Sequence, residues 1–282
     1  MAAEASPNQE QIDYWNGDTG TRWVQGRDEI DALLAPIAAA AIDRARVAPG
    51  WRVIDIGCGC GSTTLELGRL AGPTGSVLGV DVSAPMIENA RSRIGPASAH
   101  VSFHLADAST HDFEPHAADL AFSRFGVMFF ADPALAFANI RTALRPSGRL
   151  VFACWRALGE NDWARLPMEA ALAWLPPPEP PAPTAPGPFA FADAIRLRGI
   201  LERSGYTDIV IEGLDVPLHL EGSMDAAVAF YRDIGPAARL LREADAHARE
   251  RALQAMRGAL ARYHDGLGIR LGSAAWLVSA VA

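Results

Sequence analysis

The chain has 282 residues and a formal net charge of −8, and half of its residues are hydrophobic, so a substantial core can be buried. No Lys/Arg block is present, and the most basic stretch, Arg239 to Arg262, is interleaved with Glu and Asp, which argues against a nucleic-acid partner. The longest apolar run, Ala32 to Ile42, is too short for stable membrane insertion, and the opening residues lack the basic and apolar regions of a secretory signal.

In chain order, residues 1–26 hold a Trp/Tyr/Gly-rich stretch with no clear period. Arg27 to Arg46 is predicted to be a helix with Ile30, Leu33, Leu34, Ile37 and Ala41 on one side and a bend at Pro36. From Trp51 the pattern alternates: strands over 51–56, 76–81, 100–105, 118–123 and 148–154, with helices near 62–71, 84–94 and 133–145. Asp132-Pro133 is a start signal for the last of these helices, and Phe137, Ile140 and Leu144 give it a core-facing stripe. Strand–helix alternation of this kind predicts βαβ units, a parallel sheet and an α/β fold. A helix near 161–174 follows, then Pro176 to Pro188, where eight of thirteen residues are proline, a stiff loop or linker. The remainder predicts a helix over 191–203, a strand over 208–216, helices near 222–232 and 236–263, and a last strand over 273–280.

The densest signal is Val53-Ile54-Asp55-Ile56-Gly57-Cys58-Gly59-Cys60-Gly61-Ser62, a buried strand entering a loop with glycine at every second position and then a helix. Such a loop lets backbone approach a ligand and leaves helix N–H groups free for polar atoms. The dinucleotide fingerprint needs Gly or Ala at position 62, where this chain has Ser. Cys58 and Cys60 flank Gly59 in poor geometry for a disulfide, and no second Cys/His cluster completes a zinc site, so no metal is expected and a reduced, cytoplasmic compartment fits. The second strand ends in Asp81, placed to accept hydrogen bonds from both hydroxyls of an adenosine ribose. The third ends at Asp107, a position suited to the adenine amino group. Any one of these acids alone is most often a strand-end cap.

The ordered series DIGCGCG, GVDVS, ADA, DLAFSRFG and LRPSGRLVFACW resembles the motifs of class I S-adenosylmethionine-dependent methyltransferases. The match is close over residues 45–156, and SRFGVMFFADP is similar to the small-molecule branch that includes the quinone-biosynthesis C-methyltransferases. Where those enzymes carry Arg-Asn after Phe-Gly, this chain has Val127-Met128-Phe129. The resemblance implies a Rossmann-like, doubly wound, mostly parallel seven-stranded sheet with helical N- and C-terminal caps. It implies three parts: a lid and helix over 1–46, the S-adenosylmethionine-binding core over 47–156, and over 157–282 substrate-cap helices, the Pro-rich loop and the last two strands. Carried over residue by residue, it sets Asp55, Gly57, Cys58 and Gly59 around the methionine moiety and Asp81 on the ribose. Val82 and Met86 face the adenine, Asp107 and Ala108 meet its edge, and Ser123 and Phe125 stand near the sulfonium. Trp15 and Trp23 either close over the cofactor as a lid or serve ordinary packing.

Methyl transfer from a sulfonium asks the protein mainly to align the acceptor and exclude water, and a general base is needed only where the acceptor carries a proton. His111 is the candidate base, with a solvent-exposed loop histidine as its alternative, and Arg124 is the candidate for orienting an anionic acceptor. Phe129, Phe130, Trp155, Trp163, Trp174, Phe189, Phe191, Phe230 and Tyr231 suggest a small apolar or aromatic acceptor, methylated on oxygen, carbon or nitrogen. The competing functions are a nicotinamide-dependent oxidoreductase on a similar sheet and a non-catalytic S-adenosylmethionine-binding module. Nothing in the sequence bears on the oligomeric state.

Overall fold

The computed structural model describes residues 8–282 apart from residues 181 and 183. The first helices are α1 (Gln9–Asn16), α2 (Asp18–Gln25) and α3 (Arg27–Ala45). The alternating region gives β1 (Arg52–Ile56), α4 (Ser62–Ala71), β2 (Ser76–Asp81), α5 (Ala84–Ser92), β3 (Val101–Leu105), β4 (Ala118–Arg124), α6 (Pro133–Ala143) and β5 (Leu144–Trp155). Beyond it come α7 (Asp162–Leu172), α8 (Ala194–Arg203), β6 (Thr207–Glu221), α9 (Met224–Asp233), α10 (Ala237–Glu243), α11 (Ala246–Leu260) and β7 (Gly268–Val281).

The seven strands form one sheet in the order β3-β2-β1-β4-β5-β7-β6. The first five are parallel, and β7 runs antiparallel between β5 and β6. This is the expected doubly wound α/β sheet. From β1 the chain winds outward to β3, then returns to lay β4 on the other side of β1. Right-handed crossovers in the two directions place α4 and α6 on opposite faces. The buried apolar residues of α3, the five parallel strands and both helical layers make one continuous core. Ile30, Leu33, Leu34, Ile37 and Ala41 of α3 are all buried, as their spacing predicted. Asp132 caps α6 by accepting from Leu135 N at 3.0 Å, with Pro133 in the first turn.

Three expectations change. Residues 9–25, which show no period, form two helices meeting at the extended Gly17. The single helix expected over 236–263 is two, because Ala244 is extended and Asp245 starts a new helix by accepting from His247 N and Ala248 N, both at 2.9 Å. The last two strands are longer than expected, and their pairing continues from Leu214–Ala275 to Glu221–Gly268, past the end of β5. Pro181 and Pro183 of the proline-rich stretch lie outside the described residues. Among the described residues no helix is long and apolar enough to cross a membrane.

Candidate functional site

The carboxyl ends of β1 and β4 flank the point where the strand order reverses, and there the chain turns sharply. Gly57, Gly59 and Gly61 all have positive φ, at 65°, 54° and 82°. Their surroundings differ. A Cβ on Gly57 would stand 2.6 Å from Gly126 Cα, and one on Gly61 would stand 2.6 Å from the Phe103 ring. A Cβ on Gly59 would meet only the Met86 sulfur, at 3.5 Å. Gly57 and Gly61 are therefore small for packing, whereas a Cβ on Gly59 would make only ordinary contact with buried Met86. Cys58 turns inward: it is buried, its backbone N–H donates to Val80 O at 3.1 Å, and burial pushes its thiol well up from the ordinary range.

Three carboxylates follow the strand ends. Asp55 is fully buried, with Oδ2 accepting from both Thr63 and Thr64 hydroxyls at 2.7 Å. Its Oδ1 is buried without a hydrogen-bond partner, and burial pushes the carboxyl up to about 6. Asp81 accepts from Gly59 N at 2.8 Å and from Ser83 N at 2.9 Å, so one carboxylate ties the glycine loop to the loop after β2. Burial raises its pKa, and those backbone donors oppose the rise. Asp107 accepts from Ser109 N at 2.9 Å and Ser109 Oγ at 2.7 Å, and the neighbouring Ala108 is buried.

At the end of β4, Ser123 is fully buried; its hydroxyl donates to Ile56 O at 2.8 Å and accepts from Gly126 N at 3.2 Å. It braces β1 against β4. Phe125 takes a left-handed conformation, φ 64°, rare for a residue with a side chain and concentrated at functional sites. Its ring stacks on Trp155 with centroids 4.0 Å apart and planes 14° apart, and Trp155 lies against Trp163 at 4.8 Å. Fully buried Asn161 fixes this column, accepting from Trp163 Nε1 at 3.0 Å and Ala274 N at 2.9 Å while donating to Ala274 O at 3.1 Å.

The N-terminal helices lie across these strand ends. Asn16 clasps the loop after β2, donating to Val82 O at 2.8 Å and accepting from Ala84 N at 2.9 Å. Ser83 Oγ donates to Trp15 O at 2.8 Å. The Trp15 ring meets Trp23 at 5.6 Å and, from the loop after β4, Phe129 at 5.2 Å. A side chain at Gly20 would collide with Trp15 O, which is why these helices can sit so close. Asn8 accepts from Ala131 N at 3.1 Å, so the segment spans from the β4 side to the β2 side.

The structure thus places Asp55 and the glycine loop at the end of β1, Asp81 and Val82 at the end of β2 with Met86 on α5, Asp107 and Ala108 just past β3, Phe125 just past β4, and Trp15 and Trp23 on the N-terminal helices, with the Cys58 and Ser123 side chains directed into packing. It does not bring His111 and Arg124 together. His111 packs on Phe113 at 4.7 Å and His104 at 6.2 Å, and its carbonyl accepts from Asn139 of α6. Burial and the nearby His104 hold it below the usual histidine range. Arg124 pairs at 3.3 Å with Asp31 of α3, on the face that carries α4. Phe130 and Phe191 pack on Phe137 in the core, and Trp174 is 45% exposed beneath the Arg251 guanidinium. Asn16, Asp31 and Asn161 were not anticipated: Asn16-Gly17 has the composition of an ordinary turn, and partners such as Val82, Arg124 and Ala274, distant in the chain, leave no local pattern. Among the described residues no group of three His, Cys, Asp or Glu side chains is placed to hold a metal ion.

Residues 53–148 match a family described as a methyltransferase domain. The ubiquinone/menaquinone biosynthesis C-methyltransferase UbiE of Burkholderia multivorans is 31% identical over 113 residues, which cover 40% of this chain and 46% of that protein. Nocamycin O-methyltransferase of Saccharothrix syringae is 28% identical over 186 residues, covering 59% and 65% respectively. The chain spans less than two thirds of the length of these curated relatives. The crystal structure of YcgJ from Bacillus subtilis shares the fold, with a TM-score of 0.57 and 18% identity over 86% of this chain and 97% of that one.

Two measurements probe this geometry. With similar φ at both positions, Gly57→Ala should cost roughly 2–5 kcal/mol and Gly59→Ala about 1 kcal/mol, because only the first drives Cβ into backbone. Equal urea midpoints for the two variants would show that Gly57 is not held by contact with Gly126. Asp55 gives a pH signature. At pH below the ordinary carboxylate value of 3.8 it is protonated folded and unfolded, so burial costs nothing; above about 6 the folded chain carries a buried charge, at about 3 kcal/mol. Asp55→Asn keeps an acceptor for both threonines and should stabilise the protein progressively as pH rises from about 4 to about 7. A stability difference that stays constant over this range excludes the buried charge as its cause.

Proposed function

We propose that this chain, whose residues 53–148 match a methyltransferase domain, is a class I S-adenosylmethionine-dependent methyltransferase acting on a small, apolar or aromatic metabolite. S-adenosylmethionine, when bound, supplies the electrophilic methyl group. The observation that carries this reading is the joining of Asp81 to Gly59: an acid at the end of β2 held by the one glycine of the loop where a Cβ would make only ordinary contact. A cofactor crossing Gly59 would meet the Asp81 carboxylate at its ribose hydroxyls, Val82 and Met86 at its adenine face, and Asp107 with Ala108 at the adenine edge. The unpartnered Oδ1 of Asp55 fits the cationic methionine end, which also favours the ionised carboxylate.

Trp15 and Trp23 would exclude water over a bound cofactor, and the stacked Phe125 and Trp155 rings would give the acceptor side its apolar character. Where the acceptor brings a proton, His111 is the candidate base, its pKa lowered by partial burial and the nearby His104. Arg124 reaches an anionic acceptor only by exchanging Asp31 for it. The tripartite division into lid and helix (1–46), cofactor core (47–156) and cap (157–282) belongs to the same proposal. So do a cytoplasmic setting, in keeping with three buried free cysteines, and a substrate other than nucleic acid, in keeping with the net charge of −8. Methylation in the two named relatives is on carbon in one and on oxygen in the other, and both belong to small-molecule chemistry by their names.

Titration calorimetry tests the cofactor. S-adenosylhomocysteine should bind in the low micromolar range, about −7 to −8 kcal/mol, and Asp81→Ala should weaken it ten- to a hundredfold, about 1.5–3 kcal/mol, in a folded variant. Tight binding of NAD with none of S-adenosylhomocysteine overturns the reading in favour of an oxidoreductase. Binding without methyl transfer to any compound of a mixed metabolite extract overturns its catalytic half.

A further inference from the structure

The N-terminal helices α1 and α2 pack on the loop after β2 and on α5, while α9 packs against β7 at the other side of the sheet. One ion pair joins them. Arg22 on α2 pairs with Asp233, the last residue of α9, and both side chains are only partly exposed, at 31% and 27%. Asp233 is oriented from its own helix by Arg232, which donates to it at 2.7 and 3.1 Å.

Asp233 sits between two residues that report on the aromatic column. Tyr231, two residues before it, is buried, and Gly235, two residues after it, adopts φ 98° and approaches both the Trp163 ring and Tyr231 within about 4.0 Å of its Cβ position. Trp163 continues through Trp155 to Phe125. An acceptor seated at the column therefore bears on the end of α9, while the other end of the ion pair is the helix whose neighbour clasps residues 82–84 with Asn16.

We propose that Arg22 and Asp233 are positioning residues that latch the N-terminal lid to the cap, so that occupation of the acceptor side and retention of the cofactor reinforce each other. This rests on the methyltransferase reading given above. Coupling of this kind is reciprocal: whatever steadies α9 holds α2, and whatever steadies α2 holds α9. The alternative is a partly exposed ion pair with no measurable role, the usual fate of such pairs.

The full chain and three variants decide between them: Asp233→Asn, Arg22→Gln, and the exchanged pair Arg22→Asp with Asp233→Arg. Two measurements are made, hydrogen exchange over residues 9–25 without ligand, and dissociation of S-adenosylhomocysteine. The latch requires each single variant to speed exchange in 9–25 and to release S-adenosylhomocysteine three- to tenfold faster. The thermal midpoint should move by no more than about 2–4 °C. The exchanged pair should recover at least half of both effects. Exchange and release unchanged in Asp233→Asn overturn the proposal, as does an exchanged pair no better than the single variants. If the parent chain fails to bind S-adenosylhomocysteine, the methyltransferase reading falls, and the ligand-free exchange still decides whether the pair latches the lid.

Discussion

Everything at the site depends on how closely two backbones approach where the sheet reverses direction. Gly57 after β1 and Gly126 after β4 come so near that neither tolerates a Cβ: one on Gly57 would stand 2.6 Å from the other glycine's Cα, and one on Gly126 would stand 2.7 Å from Gly57 Cα. The Ser123 hydroxyl closes the same junction by bonding Ile56 O and Gly126 N. Because the two strand ends are sealed at this level, the chain on either side must diverge above it. The glycine loop leans toward β2, and Phe125 is thrown into its left-handed turn toward β5. The crevice is the space between those departures, as expected at the switch point of an open α/β sheet.

Polar groups around the crevice divide by what fixes them. The acids at the end of β2 and just past β3 are held by backbone N–H groups and a serine hydroxyl, which fixes their orientation. The cations are held by an acid. Asp31 of α3 takes Arg124 and the Ser62 hydroxyl, with Arg93 3.7 Å away, and so sits at the amino end of α4, where a negative charge is favoured by the helix dipole. One carboxylate thereby anchors α3 to α4 and is shared by two guanidiniums beside the glycine loop.

The parts of this molecule legible in the sequence are those whose reasons are local. The β1–glycine loop–α4 unit, the acids at 81 and 107 and the N-cap at Asp132 all follow from spacing and turn chemistry, and the structure has each in its expected element. The N-terminal helices were illegible because their stability is tertiary. Neither is longer than 8 residues, and what holds them is Asn16 on a loop 66 residues away and Trp15 on Phe129. The same reasoning applies to Ser123 and Arg124, whose strand-end position suggested a ligand but whose partners, Ile56 O and Asp31, come from other elements. The break before α11 was readable in principle, since Asp245 is a good N-cap, but an Ala- and Arg-rich run on both sides conceals it.

The long outer strand β6 has a consequence for how this chain behaves in a crowded solution. Most of its residues are partly or fully exposed, and it has no strand on its outer side, so it offers backbone groups to any other extended chain. Its composition refuses that offer. Asp208 and Glu221 place acid charges along it, Glu212 and Asp215 are engaged by Arg44 and Arg156, Pro217 lacks a donor, and Arg198 occupies the Ile209 carbonyl at 2.9 Å. A second copy aligning there would set acid against acid and find one donor missing and one acceptor already taken. A strand of this length can remain at the margin of the sheet without becoming a template for sheet-to-sheet aggregation.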